Sequence, residues 1–164
     1  MPERVFFIGH GGSGKTSLME ELIQGLRARG RKVACLKHSP HVHELDKPGK
    51  DSHRHRVAGA EPSGVISQGQ SAVFLAVGSE EGETVFERLA PLFADCDLLL
   101  VEGHKKAQGR KLEVYRAAVG EAPLADSDGD FWAVISDDPV EADVPVWPRS
   151  DLGSLMDRLE ELLK

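Results

Sequence analysis

The chain has 164 residues and a formal net charge of -7, from 20 basic and 27 acidic side chains, which suits one soluble domain. The acidic balance and an aromatic content of only 5% argue against a general nucleic-acid binder. No apolar run approaches the roughly 20 residues that span a bilayer, and the amino terminus lacks a signal-type segment, so we expect a cytoplasmic protein. Cys35 and Cys96 each lie in an apolar stretch, so we interpret them as small core residues.

Short apolar runs alternate with amphipathic stretches along the chain. This alternation predicts an α/β fold, a mostly parallel sheet flanked by helices with some antiparallel strands. Strands are predicted at 4–8, 32–37, 64–69, 71–77, 97–101, 112–117 and 132–135, the strand at 97–101 being central. Helices are predicted at 17–29, at 84–93 and at 152–163, and the inward residues of the second are Val85, Leu89, Leu92 and Phe93. No repeat or long linker divides the chain, so 1–164 is predicted to be a single domain.

A glycine-rich segment lies between the first predicted strand and the first helix. It reads Gly9-His-Gly-Gly-Ser-Gly-Lys-Thr16, the pattern of a P-loop. Glycines let backbone N–H groups curl around phosphate oxygens, and the helix adds its positive N-terminal end. We expect Lys15 to reach the β and γ phosphates as a catalytic residue and Thr16 to bind magnesium. The segment therefore predicts a P-loop NTPase domain whose nucleotide-binding residues are Gly11, Gly12, Ser13, Gly14, Lys15, Thr16 and Ser17.

A P-loop needs a second acid to hold its metal, and the strand at 97–101 has Asp97 and Glu102 at its two ends. Parallel strands present ligands at their carboxyl ends, which favours Glu102. We therefore predict that Glu102 and Thr16 bind the metal and that Asp97 is a surface residue. An ordinary surface acid is the alternative for Glu102.

The basic residues are concentrated in one segment. Between Arg27 and Arg56 there are nine basic and three acidic residues, a net charge of +6 against -13 for the rest. The loop after the second strand lies at the same sheet edge as the P-loop, so its cations predict a second anion surface at Lys37, Lys47, Lys50, Arg54 and Arg56. Asp51 is a candidate to join the magnesium shell or orient water. The alternative is that these charges solvate a mobile loop.

Four further segments resemble the molybdopterin-guanine dinucleotide biosynthesis adapter (MobB) family. They are Lys37-His-Ser-Pro-His41, Asp46-Lys-Pro-Gly-Lys-Asp-Ser52, Ala58-Gly-Ala60 and Val101-Glu-Gly-His-Lys105, with Arg54 and Arg56 in the same order. The resemblance covers about 5–105. It implies a dimeric GTP-binding protein with weak GTPase activity, which assists the molybdenum cofactor guanylyltransferase as that enzyme attaches GMP to molybdopterin. The second anion surface then fits molybdopterin or molybdopterin guanine dinucleotide.

Two other functions stay open on the residues alone. A nickel or zinc metallochaperone GTPase would use the histidine-rich segment, which contains His38, His41, His43, His53 and His55. A small-molecule kinase or ligase of the dethiobiotin synthetase type would need a general base, for which Asp51 is the candidate.

Base selectivity is not explained by a familiar motif, since the chain contains no Asn and hence no Asn-Lys-x-Asp. Asp137 and Asp138, in the segment 136–138, are candidates to accept hydrogen bonds from the guanine N1 and N2 groups. The alternative is that they belong to a solvated turn. No glutamine or arginine is obviously placed to activate water, so we expect slow hydrolysis.

Overall fold

The computed structural model of the protein describes residues 1–77, 83–125 and 130–164. The strands are β1 (Glu3–Ile8), β2 (Val33–Lys37), β3 (Ser63–Ser67), β4 (Gln70–Phe74), β5 (Leu98–Glu102), β6 (Arg110–Val114), β7 (Phe131–Ile135) and β8 (Val146–Trp147). The helices are α1 (Lys15–Ala28), α2 (Asp51–Val57), α3 (Glu83–Leu89) and α4 (Leu152–Glu161), with 3-10 turns at Ala90–Phe93 and Ala117–Val119. Within those three ranges, no helix is both long and apolar enough to cross a membrane.

Six strands pair in parallel in the order β2-β5-β1-β6-β7-β8, while β3 and β4 form a separate antiparallel hairpin. This confirms the predicted fold class. Strand β5 lies between β2 and β1 and is buried from Leu98 to Val101, as its continuous apolar sequence predicts.

Alternate side chains of the strands enter two separate cores. Val5 and Phe7 of β1 pack with α1 and α4 on one face of the sheet, through Leu22 and Leu159 among others. Phe6 lies on the opposite face with Phe86 of α3. Because all six strands of this sheet are parallel, their carboxyl ends lie at one edge, where the P-loop begins.

The structure corrects several local predictions. Cys35 is exposed and Cys96 only half-buried, because β2 is an edge strand and Cys96 precedes β5 in a turn. The helix expected over 84–93 ends at Leu89, and the chain then enters a 3-10 turn that contains Pro91. Phe86 is its buried residue, whereas Leu92 is 67% exposed.

Candidate phosphate-binding site

The P-loop connects β1 to α1 through a backbone that only glycine adopts readily. Gly12 and Gly14 have φ values of 80° and 92°, in the left-handed region, and Gly14 is the N-cap of α1. The first turn of α1 contains no acidic residue, and within the described part of the chain no side chain caps it. Because the first N–H groups of a helix have no intrahelical acceptor, this N-terminus offers its donors to an anion.

The loop is packed tightly against β6. A Cβ added to Gly9 would lie 2.4 Å from the carbonyl oxygen of Val114 and 2.8 Å from Ser13 Oγ. Ser13 is itself buried, and its hydroxyl has no hydrogen-bond partner among the residues that the structure describes. The position of the phosphate loop is thus set by its contact with the neighbouring strand.

Lys15 folds back over the loop that precedes it. Its Nζ donates hydrogen bonds to the carbonyl oxygens of Gly9 and His10, both at 2.8 Å. Burial lowers the pKa of Lys15, nearby Glu102 opposes that shift, and Lys37 adds to it. A phosphate here would favour the charged ammonium and replace two neutral acceptors with an anionic one.

Glu102 joins the P-loop to the end of β2. Its Oε2 accepts a hydrogen bond from Thr16 Oγ1 at 3.0 Å, and its Oε1 lies 3.1 Å from Lys37 Nζ. The parallel register pairs Glu102 with Phe7 on one side and Lys37 on the other, which explains why these groups meet. A carboxylate beside a hydroxyl is the oxygen pair that Mg²⁺ prefers. Asp97 lies at the other end of β5, where Oδ2 accepts from the Lys32 amide.

The basic segment of 27–56 divides into two parts. At the C-terminal end of α1, Arg29 pairs with Asp157 and Glu160, and Arg31 also pairs with Glu160. Helix α1 starts at the P-loop, so these arginines lie at the far end of the helix and bind α4 instead of an external anion. Only the part that starts at Lys37 remains for the predicted second anion surface.

Within that second part the side chains differ in their contacts. Arg56 donates to both carboxylate oxygens of Glu44 at 2.6 Å, so its charge is already compensated. The pKa of Glu44 is lowered by the backbone N–H of Asp46 and by Arg56. Lys50 is exposed, and the side chain of Arg54 is 73% exposed, 3.9 Å from Asp51.

Asp51 begins α2 with its side chain 88% exposed. In the described ranges, no hydrogen bond joins α2 to the P-loop, and Ser52 of α2 instead accepts one from Ser63 of β3. Glu102, in contrast, is hydrogen-bonded to both Thr16 and Lys37. Across the same ranges, no group of three His, Cys, Asp or Glu residues is arranged to hold a metal ion.

Two features of this edge were missed at the sequence level. Glu113 is completely buried at the end of β6, where it accepts hydrogen bonds from the Leu124 and Ala125 amides at 2.8 Å. His38 and His104 stack face to face. Because side chains alternate along a strand, an acid between Leu112 and Val114 is normally read as solvent-facing, and only its contacts with residues 124–125 reveal that Glu113 is buried.

The two acids after β7 hold neighbouring loops in place. Asp137 Oδ1 accepts from the amide and hydroxyl of Ser150, both at 2.9 Å, and Asp138 Oδ2 accepts from the Ala117 amide at 2.8 Å. The Ser150 amide is the main cause that lowers the pKa of Asp137. These contacts organise the loops beyond β6, β7 and β8 on the carboxyl side of the sheet.

Comparison with known proteins identifies the family. The family model described as "MobB: Molybdopterin guanine dinucleotide synthesis protein B" matches residues 5–137. The chain belongs to the MobB family. It is 36% identical over 161 residues to the molybdopterin-guanine dinucleotide biosynthesis adapter protein of Escherichia coli (strain K12), covering 96% of this chain and 91% of that one. It is 33% identical to the protein of the same name from Haemophilus influenzae, covering 94% and 86% of the two chains.

Solved structures of MobB proteins share the fold. The crystal structure of Bacillus subtilis MobB superposes with a TM-score of 0.72 at 25% identity, covering 99% of this chain and 98% of that chain. A crystal structure titled molybdopterin-guanine biosynthesis protein B (mobB) gives a TM-score of 0.71 at 24% identity, with 98% of each chain covered. The similarity to MobB proteins therefore extends beyond residues 5–105, where the sequence motifs lie.

Proposed function

We propose that the protein is a GTP-binding adapter in the biosynthesis of molybdopterin guanine dinucleotide. The names of its relatives support the pathway, and the hydrogen bond between Thr16 and Glu102 beside Lys15 supports the nucleotide site. In this proposal the P-loop amides and Lys15 would hold the phosphates, and Thr16 and Glu102 would hold Mg²⁺, which would compensate charge on the phosphates. The Thr16–Glu102 contact is the observation that carries the proposal, because it joins the two halves of a metal site 86 residues apart in sequence.

Hydrolysis in this site is proposed to be slow. Neither the P-loop segment 9–17 nor the segment 100–105 contains a glutamine or arginine that would orient water or compensate charge in the transition state. The bound nucleotide would then act mainly as a ligand that sets the state of the adapter. Selection of GTP over ATP is proposed from the family alone.

The adapter role requires a second ligand and a partner enzyme. Lys50 and Arg54 are exposed cations in the segment proposed to face the phosphate of molybdopterin, whereas Arg56 maintains the shape of that segment by binding Glu44. The partner is proposed to be the cytoplasmic molybdenum cofactor guanylyltransferase.

The protein is also proposed to be a homodimer, with the β3–β4 hairpin at the interface. The hairpin is not hydrogen-bonded to the main sheet, and it exposes Ile66 (90%), Val73 (59%) and Val65 (45%). A two-stranded hairpin is marginally stable alone, and exposed apolar side chains of this kind mark contact surfaces.

The test is a reconstituted synthesis reaction that contains the guanylyltransferase, molybdopterin and Mg²⁺·GTP. Addition of the wild-type protein should increase formation of the dinucleotide, and addition of Lys15→Ala should not, because the variant cannot hold the phosphates. A Lys164→Ala variant, which changes an exposed lysine after α4 that has no part in either anion site, controls for the loss of one positive charge. Equal stimulation by Lys15→Ala and wild type would refute the proposed role of nucleotide binding.

A further inference from the structure

An aromatic stack runs from the core to the edge of the sheet that carries the phosphate site. Phe86 of α3 is buried at 7% exposure, and its ring lies 6.0 Å from that of His104 with an interplanar angle of 21°. His104 in turn stacks on His38 at 4.2 Å and 10°. Phe6 contacts Phe86 and His104 edge-on, at 5.9 and 6.2 Å. The two imidazoles are therefore held on a rigid apolar base.

The backbone fixes the two histidines against each other. The ladder between β2 and β5 continues one step, because the His38 amide donates to the Glu102 carbonyl oxygen at 2.9 Å. Gly103 follows, and a Cβ at that position would lie 3.0 Å from the His38 carbonyl oxygen. His104 then adopts a left-handed φ of 71°, which is uncommon for a residue with a side chain. Such conformations cluster at functional sites, where the surrounding structure enforces them.

The stack ends on an exposed ring. His104 covers one face of the His38 imidazole, and His38 is an exposed residue at the outer end of the stack. A flat aromatic ligand could extend such a stack by one ring.

The position of the stack decides which ligand it suits. His38 follows Lys37 directly, and both Lys37 and Thr16 bond Glu102, the acid proposed above to hold the metal at the terminal phosphates. The base of a nucleotide lies at the other end of its triphosphate. A ring that stacks on His38 therefore belongs to a second molecule beside the terminal phosphate.

We propose that the outer face of His38, backed by His104 and Phe86, is the stacking platform for the flat nitrogen heterocycle of a second substrate, a pterin. The choice of a pterin over other flat heterocycles rests on the proposed function. Stacking on an aromatic side chain tolerates different substituents, so a simple pterin is expected to bind as a probe.

The test measures binding of the fluorescent pterin neopterin to the full chain, in the presence of Mg²⁺ and a non-hydrolysable GTP analogue. His38→Ala should weaken neopterin binding by about 10-fold or more, the range found when a stacking side chain is truncated. His38→Phe keeps a flat ring and should bind within about threefold of wild type. His41→Ala is the matched control, since it removes an exposed imidazole of the same loop that is not part of the stack. GTP affinity, measured by calorimetry, should be the same for all four proteins.

Three results would overturn the proposal. The first is neopterin binding by His38→Ala that equals wild type, and the second is no neopterin binding by the wild type. The third is an equal loss of GTP and neopterin affinity in His38→Ala, which would assign the ring to guanine. The synthesis assay is independent of all three, so wild-type stimulation without pterin stacking would retain the adapter function and reject the platform alone.

Discussion

Gly9 makes the closest contact between the phosphate loop and the sheet, and Gly9→Ala tests how strictly that contact positions the loop. The new methyl group would lie 2.4 Å from the Val114 carbonyl oxygen, so the loop or β6 must move by at least 0.6 Å to reach the shortest separation, 3.0 Å, that real Cβ atoms show. Gly9 also has a φ of 152°, a region that residues with a Cβ rarely adopt. Overpacking and backbone strain together predict a loss of about 2–5 kcal/mol in the free energy of unfolding.

Urea unfolding of Gly9→Ala and Gly11→Ala measures this difference directly. Among the described residues, nothing lies within 4 Å of a Cβ built on Gly11, so that variant should be within about 0.5 kcal/mol of wild type. Gly9→Ala should also bind GTP more than about 10-fold more weakly, because displacement of the loop misplaces its phosphate-binding amides. Equal stability of the two variants would refute the role assigned to the packing of β6.

Two further substitutions test the metal pair and the buried acid. Glu102→Gln keeps an acceptor for Thr16 but removes the negative charge, so Mg²⁺-dependent GTP affinity should fall about 10- to 100-fold in calorimetry. Asp97→Asn, at the other end of β5, should leave GTP affinity unchanged. Equal losses of affinity in the two variants would contradict the choice of Glu102 over Asp97. Glu113→Ala removes the shared acceptor of the Leu124 and Ala125 amides, of which Ala125 is buried, and should cost about 2–4 kcal/mol in urea unfolding. A cost below about 1 kcal/mol would show that these bonds matter little.

Elements with a strong local signal could be predicted from the sequence. The continuous apolar run of β5 and the spacing of Leu18, Leu22 and Leu26 in α1 correctly indicated a buried strand and an amphipathic helix. The P-loop could be located because its glycines and Gly-Lys-Thr lie between a strand and a helix. The location of Glu102 beside the P-loop follows from the rule that parallel strands present ligands at their carboxyl ends, whereas its role as a metal ligand stays a prediction.

Other features depend on contacts between segments far apart in the chain. Cys35 has an apolar neighbourhood in sequence, but β2 is at the edge of the sheet, so the side chain is exposed. Arg29 and Arg31 look like part of one basic surface until α4 is placed beside them. The stack of His38 on His104 joins loops after two strands that are adjacent in the sheet and distant in sequence. No periodicity in either segment indicates such a contact.

Calorimetric titration of Mg²⁺·GTP into the wild-type protein and Lys15→Ala tests the central claim most directly. The account predicts one nucleotide bound per chain, weaker binding of ATP, and a loss of at least about 100-fold in GTP affinity for Lys15→Ala, or about 3 kcal/mol, since the variant lacks a charged hydrogen bond to phosphate. Unchanged GTP affinity in Lys15→Ala would contradict the assignment of the phosphate site, and with it the function built on that site.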